Sequence, residues 1–270
     1  MYSGTTFSKY SGQILGAHQK IDRLARRHLD LLLPGNNFPS TKLILTFEGN
    51  KGPDAVKRKS PAKDEPWHYF SPFDPEDKQL LELINNHYLQ LVQQLRAKDK
   101  IRSAFEAAWL AHAVVDGLTP AHHYPYEEKL VELSGGRSIN RRNSISKKLI
   151  IPGDRFNQKV LNNWMMWGPK GLFTTHAAFE WGVATLIAPL RSKSEIPNLE
   201  SINKVSSKSL ADWFREQAQS IAKLNLYDTF CEFGWTFEMA RSVRRQLAPA
   251  MIEAVTLVWH GAVTEASEAR

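Results

Sequence analysis

Residues 100–123 read KIRSAFEAAWLAHAVVDGLTPAHH, and this stretch decides the fold class. From Lys100 to Gly117 the spacing predicts a helix that Pro120 stops from simply continuing. Around its middle the helix is almost wholly apolar (Ala107, Leu110, Ala111, Ala113, Val114, Val115), which places it in a protein interior. His112 and Asp116 lie one turn apart on a face that also carries Ala108 and Trp109. An unpaired carboxylate in such surroundings is costly, and neighbouring cations are the usual remedy. Two arrangements answer that cost. His112 is a core histidine bonded to Asp116, with His122 and His123 on a surface turn, or Pro120 turns the chain so that His122 points back and the three residues hold a metal.

Working outward, most of the chain reads as helix. Ile21, Leu24, Ala25, His28, Leu29 and Leu32 share one side of a first helix from about Gly16 to Leu33, ended by Pro34-Gly35. Residues 35–75, rich in Pro, Gly, Asn and Lys, read as a long, mostly irregular excursion, and excursions of that length are usually functional. Asp74-Pro75-Glu76 has the form of a helix start, followed by a stripe of Leu80, Leu83, Ile84, Tyr88, Leu91 and Leu95. A short helix is expected near Glu127–Leu133. Gly135 to Gly153, with Arg137, Arg141, Arg142, Lys147 and Lys148, reads as an exposed basic loop. Further helices are expected at about 155–166, 173–190, 207–223, 227–244 and 246–266. With no strand pattern in quantity and no internal repeat, the fold class is all-α, in one multi-helix domain.

Composition narrows the chemistry. The chain has 270 residues, with 42% hydrophobic and 23% charged, as in ordinary globular proteins. Its net charge of +7 and pI near 9.4 suit anionic partners, phosphodiesters or lipid surfaces, although mildly basic proteins without such partners are as common. The single cysteine, Cys231, excludes an internal disulfide and a thiolate cage, so any metal must be held by nitrogen and oxygen. No apolar run reaches the roughly 18 residues of a membrane span. Met1 to Gln13 is polar and lacks the apolar core of a secretory signal, giving a cytoplasmic expectation.

A histidine followed four residues later by an acid should occur about once by chance with nine histidines and 28 acids. Four such pairs occur: His18/Asp22, His112/Asp116, His123/Glu127 and His176/Glu180. Asp22 is one turn from Arg26, as in a surface ion pair. His123/Glu127 suits a cap or a solvated face, although His123 could replace His122 as a ligand. His28 and His87 fall on apolar stripes and read as core. Trp164, Met165, Met166 and Trp167 fit either buried packing or a lipid-binding rim.

The H-x3-D-x5-H spacing of His112, Asp116 and His122 resembles the metal core of the bacterial zinc-dependent phospholipase C family. S1/P1-type nucleases and the N-terminal domain of glycosylphosphatidylinositol-specific phospholipase D share that core. The family's other ligands have counterparts in order: His18 on the first helix, Asp54 in Gly-Pro-Asp, His68 in Trp-His-Tyr-Phe-Ser-Pro, and the pair His176/Glu180. Glu180 stands where nucleases carry Asp and phospholipases carry Glu.

The resemblance covers about residues 14–185, with helices 207–266 packed on that metal core. It implies a helical phosphoesterase with two or three zinc ions. One would be held by Asp54, His68, His112 and Asp116, a second by His122, His176 and Glu180, and a third by His18 and a bridging Asp116. In the secreted family members an amino-terminal tryptophan completes the third site. Here that place falls to Met1, Tyr2 or another group. The interval of 54 residues from His122 to His176 is longer than in the bacterial lipases. By the same resemblance Asp54 or Glu180 would orient or deprotonate the attacking water, and Tyr124 and Tyr126 would contact the substrate headgroup. Phospholipid headgroups, single-stranded nucleic acid and a non-catalytic metal-binding role remain as alternatives, with a peripheral membrane surface as a partner of the first.

Overall fold

The computed structural model describes residues 1, 4, 15–55, 68–136, 149–191 and 196–268, and among these the regular structure is helical throughout. The basic residues Arg137, Arg141, Arg142, Lys147 and Lys148, and the polar start apart from Met1 and Gly4, lie outside the described residues. The helices are α1 (Ala17–Leu32), α2 (Thr41–Thr46), α3 (Gln79–Arg96), α4 (Lys100–Gly117), α5 (Tyr126–Leu133), α6 (Phe156–Trp167), α7 (Leu172–Ile187), α8 (Leu199–Ser206), α9 (Leu210–Ala222), α10 (Leu226–Phe233), α11 (Phe237–Ser242) and α12 (Ala248–Glu268).

Helix α4 is the axis of the core. The Asp99 carboxylate caps it, accepting from the amides of Ile101 and Arg102 at 3.0 and 2.9 Å. Its alanines at 104, 107, 108, 111 and 113 are buried, and their small side chains let α3 and α12 approach on two sides. Trp259 of α12 is fully buried and donates its indole N–H to the carbonyl of Ala107 at 3.1 Å, so this large core side chain keeps its polar atom satisfied. Ile21, Leu24 and Leu29 of α1, Leu80 and Ile84 of α3, and Val255 and Val258 of α12 share this core. Each fully buried aliphatic side chain of this kind stabilises the fold by roughly 1.5–3 kcal/mol. At the end of α4, a Cβ on Gly117 would come within 2.7 Å of the Leu80 and Phe214 side chains, so glycine lets these two pack closely against the helix.

Several boundaries differ from expectation for physical reasons. Helix α2 lies within the excursion 35–75, capped by Ser40. Asp74-Pro75-Glu76 forms a turn, and α3 starts only at Gln79. There the Asp74 carboxylate accepts from the Glu76 amide, and the Arg215 guanidinium binds the carbonyls of Pro72, Asp74 and Asp77, so a distant cation holds the segment out of the helix. Helix α8, unexpected from the sequence, is capped by Asn198.

The break foreseen near residue 245 falls instead at Gly234, which has φ of 72° and ends α10. The later chain runs from Phe237 to Glu268, absorbing Pro249 through a π-turn at Val243–Leu247. That run corrects the expectation that no apolar stretch has the length of a membrane span. By length and composition an 18-residue window within it is apolar enough, with a mean hydropathy of 1.3, but 61% of that window is buried in the fold, as in a core helix.

Candidate metal centre

The last two turns of α4 present His112 and Asp116 on one face, both buried. The 3-10 turn Pro120–His123 then folds back, its His122 amide bonded to the Thr119 carbonyl at 2.9 Å. The His122 carbonyl accepts from the Phe70 amide at 3.1 Å, which brings the His68–Phe70 segment alongside. Helix α7 supplies His176 and Glu180 on one face, and α1 supplies His18.

Eight side chains and the amino terminus converge here. Asp116 faces two directions. Its Oδ2 is 3.1 Å from His112 Nε2, while its Oδ1 is 2.5 Å from the Met1 ammonium, 3.3 Å from His18 Nε2 and 3.5 Å from His122 Nδ1. The Oε1 of Glu180 lies 2.9 Å from His122 Nε2, 3.0 Å from His176 Nε2 and 3.2 Å from the Met1 ammonium. Asp54 Oδ1 is 3.7 Å from His112 Nε2. The His18 ring stacks on His112 at 3.9 Å, and the His122 ring on His176 at 5.3 Å. His68 stands beside His122 with ring centroids 5.1 Å apart.

Tyr69 and Tyr126 stack on each other against His176. Tyr126 is thus buried in a small core with Leu130, Ile151 and Met166, while Tyr124 leans on Tyr227. His123 turns away from the centre to meet the Gly117 carbonyl at 2.8 Å, so His122 is the residue of the pair that faces the other histidines.

Burial alone would strip the charge from these groups, and their neighbours decide otherwise. The Met1 ammonium is desolvated, yet Asp116, Glu180 and Asp54 raise it from 8.0 to about 10. Burial likewise opposes charge on Asp116, but the Met1 ammonium, His122 and His112 hold it well below the ordinary carboxylate range. Burial also opposes charge on Glu180, and the ammonium and His176 outweigh it. His122 goes the other way. Burial, then the ammonium, lowers it to about 3, so its ring is neutral near pH 7.

A neutral imidazole has one N–H, yet His122 meets two groups that only accept: the Asp116 carbonyl at 3.1 Å from Nδ1 and the Glu180 carboxylate at 2.9 Å from Nε2. A bound cation at Nε2 resolves that conflict, and the Met1 ammonium, 3.4 Å from that nitrogen, already lies near the place. His122, His176 and Glu180 bring one donor atom each within 4.8 Å of one another, as do His18, Glu48 and His112. The donor set is therefore one that a borderline cation fits.

Two residues of this neighbourhood were not expected there. Asp22 is buried, and Arg26 is paired instead with Asp30 on the next turn, so the expected surface pair of Asp22 with Arg26 is corrected. The Arg26 guanidinium also binds the carbonyls of Phe38 and Pro39, which drew it away from Asp22. Burial, then the nearby Glu48, pushes the Asp22 carboxyl well above its usual range. Glu48, fully buried, places Oε1 3.0 Å from His112 Nδ1 and so orients the ring whose other nitrogen faces Asp116 and Asp54. Glu48→Gln keeps the volume and loses the charge. It is expected to weaken the centre's affinity for an added divalent cation by about 10- to 100-fold with helicity unchanged, as read by competition with a chelating dye and circular dichroism. His87, expected in the core, is largely buried and hydrogen-bonded to the Glu106 carboxylate at 2.7 Å.

The order of these elements is that of a known all-helical architecture. No family model matches the chain, and no curated protein matches it. Among solved structures, the crystal structure of Clostridium perfringens alpha-toxin from avian strain SWCP matches 100% of this chain and 67% of its own, at 14% identity with a TM-score of 0.54. At that identity the likeness shows a shared fold.

Proposed function

We propose that this chain is a zinc-dependent phosphoesterase of the phospholipase C type. The observation that carries the reading is the convergence of His18, Asp54, His112, Asp116, His122, His176 and Glu180 with the Met1 amine on one buried centre. The alpha-toxin fold and the family order of these residues support it.

One ion would be held by Asp54, His112 and Asp116 with His68, another by His122, His176 and Glu180, and a third by His18, Asp116 and the amine and carbonyl of Met1. His18 Nε2 already lies 2.9 Å from that carbonyl. Zinc in such sites supplies a water that deprotonates near neutral pH and charge stabilisation for both the attacking and the leaving oxygen.

The protein's own residues divide the remaining work. The Asp54 side chain is 40% exposed, against 14% for Glu180, so Asp54 is the carboxylate able to orient an incoming water and take its proton. Glu180 is engaged by two imidazoles and holds them in place. Glu48 orients His112. Tyr69 and Tyr126 wall the His176 side and exclude water from it. Burial, then Tyr126 and Glu180, keeps the Tyr69 phenol protonated, so it can donate to a phosphate oxygen.

Elemental analysis of gently purified protein should find two or three zinc equivalents per chain. The same sample should hydrolyse a water-soluble phosphocholine ester of p-nitrophenol faster than it degrades single-stranded DNA. Absence of metal after zinc is supplied would overturn the proposal, and preference for DNA would move it to the nuclease branch.

A further inference from the structure

Helix α6 is built inside out. Its inward face is narrow, with Asn162 and Met166 buried one turn apart. Its outward arc carries Phe156 at 80% exposure, Val160 at 54%, Trp164 at 65%, and the exposed Leu161 and Met165. Helices on protein surfaces normally turn such residues inward. Leu149 and Ile150 extend the patch before the helix, and Phe173, packed against Trp167, extends it after. Between Ile150, Phe156, Val160, Trp164, Trp167 and Pro169 lies an open apolar cavity of about 820 Å³. A contiguous apolar surface on this scale marks an interaction site.

We infer that this face of α6 docks the protein onto the surface of a phospholipid bilayer. Three observations select that occupant. The patch combines two tryptophans with a phenylalanine and aliphatics, the mixture that settles at the boundary between headgroups and acyl chains. Arg155, Lys159 and Lys170 are exposed on this segment against one exposed acid, Asp154, so its net charge is positive and complements anionic headgroups. A second copy of this chain would bring two surfaces of net positive charge together, which disfavours self-association.

The inner side of the segment leads to the candidate centre. Met166 packs with Tyr126, and the Tyr126 ring is 5.2 Å from His176. A helix diameter of about 10 Å thus separates the docked face from the aromatic wall of the phosphoester site. The element lies in the long interval between His122 and His176. The choice of phospholipid rests on the phosphoesterase reading.

The test is sedimentation of the full chain with sucrose-loaded phosphatidylcholine vesicles, with and without phosphatidylglycerol. The same samples are assayed on the soluble phosphocholine ester and checked by circular dichroism and analytical ultracentrifugation. Wild-type protein should sediment with vesicles, more so with phosphatidylglycerol. The double variant Phe156→Ser/Trp164→Ser should bind at least about tenfold more weakly, while soluble turnover is unchanged. Lys159→Glu/Lys170→Glu should lose the phosphatidylglycerol enhancement and retain its fold.

Vesicle binding that is absent, or equal in wild type and both variants, overturns the inference and leaves the enzymatic reading intact. A wild-type dimer that the serine variant dissociates also overturns it, assigning the face to a second copy. No turnover of the soluble ester, together with vesicle binding that the serine variant loses, sinks the phosphoesterase reading and sustains the docking surface.

Discussion

Asp116→Asn is expected to lower turnover of the phosphocholine ester by a factor of about a thousand or more, because on the proposed reading several kcal/mol of transition-state stabilisation would depend on the ions that Asp116 would help to hold. Its two oxygens serve different partners, Oδ2 facing His112 and Oδ1 facing Met1 and His18. An asparagine converts one of them into a donor that confronts an imidazole or an ammonium, and it removes the negative charge. Metal content should fall by at least one equivalent.

The metal-free protein should also suffer. The Met1 ammonium and the imidazole of His112 would remain buried without their shared counter-charge. Breaking a buried pair in that way costs about 3–5 kcal/mol. Parallel elemental analysis, steady-state kinetics and denaturant unfolding check the three parts. Wild-type turnover with full metal content in this variant would remove the centre from the mechanism.

Peptide extension ahead of Met1 is expected to be nearly as damaging. The ammonium is fully buried, 2.5 Å from Asp116 and 3.2 Å from Glu180. An added residue turns it into a neutral amide, which lacks both the charge and the free lone pair of an amine. It must also thread new atoms through a packed interior. Protein with a residual amino-terminal tag should lose one metal equivalent and at least about a hundredfold in activity, since a ligand is lost and not merely a group that orients one. A carboxyl-terminal tag should change neither, because Glu268, near that end, is exposed. Equal metal content and activity in the two preparations would show that the amine is only a structural cation.

The sequence disclosed the centre best where its parts are local. His112, Asp116 and His122 sit within eleven residues, and helical spacing plus one proline suffices to turn them toward a common point. His176 and Glu180 were legible for the same reason. Glu48 was not, since a lone acid between Phe47 and Gly49 has no periodic partner and reaches His112 only through the tertiary fold. Asp22 was misplaced because its neighbour Arg26 looked like a partner, whereas the carbonyls of the 36–39 turn claim that guanidinium. The sequence left Met1 as one of several groups able to complete the third site. The structure brings it there across a separation of 115 residues, which no local pattern records. In the fold, the ends of α1 before Pro34 and of α4 before Pro120 were readable, whereas the helices capped by Ser40 and Asn198 were not. The boundaries set by Arg215 at 72–77 and by Gly234 depended on distant packing or on a single backbone angle.

The separations within the centre also bear on how the molecule reaches its native state. Besides the 115 residues between Met1 and Asp116, the chain spans 64 between Glu48 and His112 and 58 between His122 and Glu180. The loop closures needed to bring such groups together come late, after local helices such as the α3–α4 hairpin have formed. If those closures follow the rate-limiting step, the cluster is absent from that barrier. Zinc, which needs the finished geometry, would leave the refolding rate nearly unchanged and slow the escape from the native state. On that account a bound metal would be a lock on a completed structure and not a template for building it.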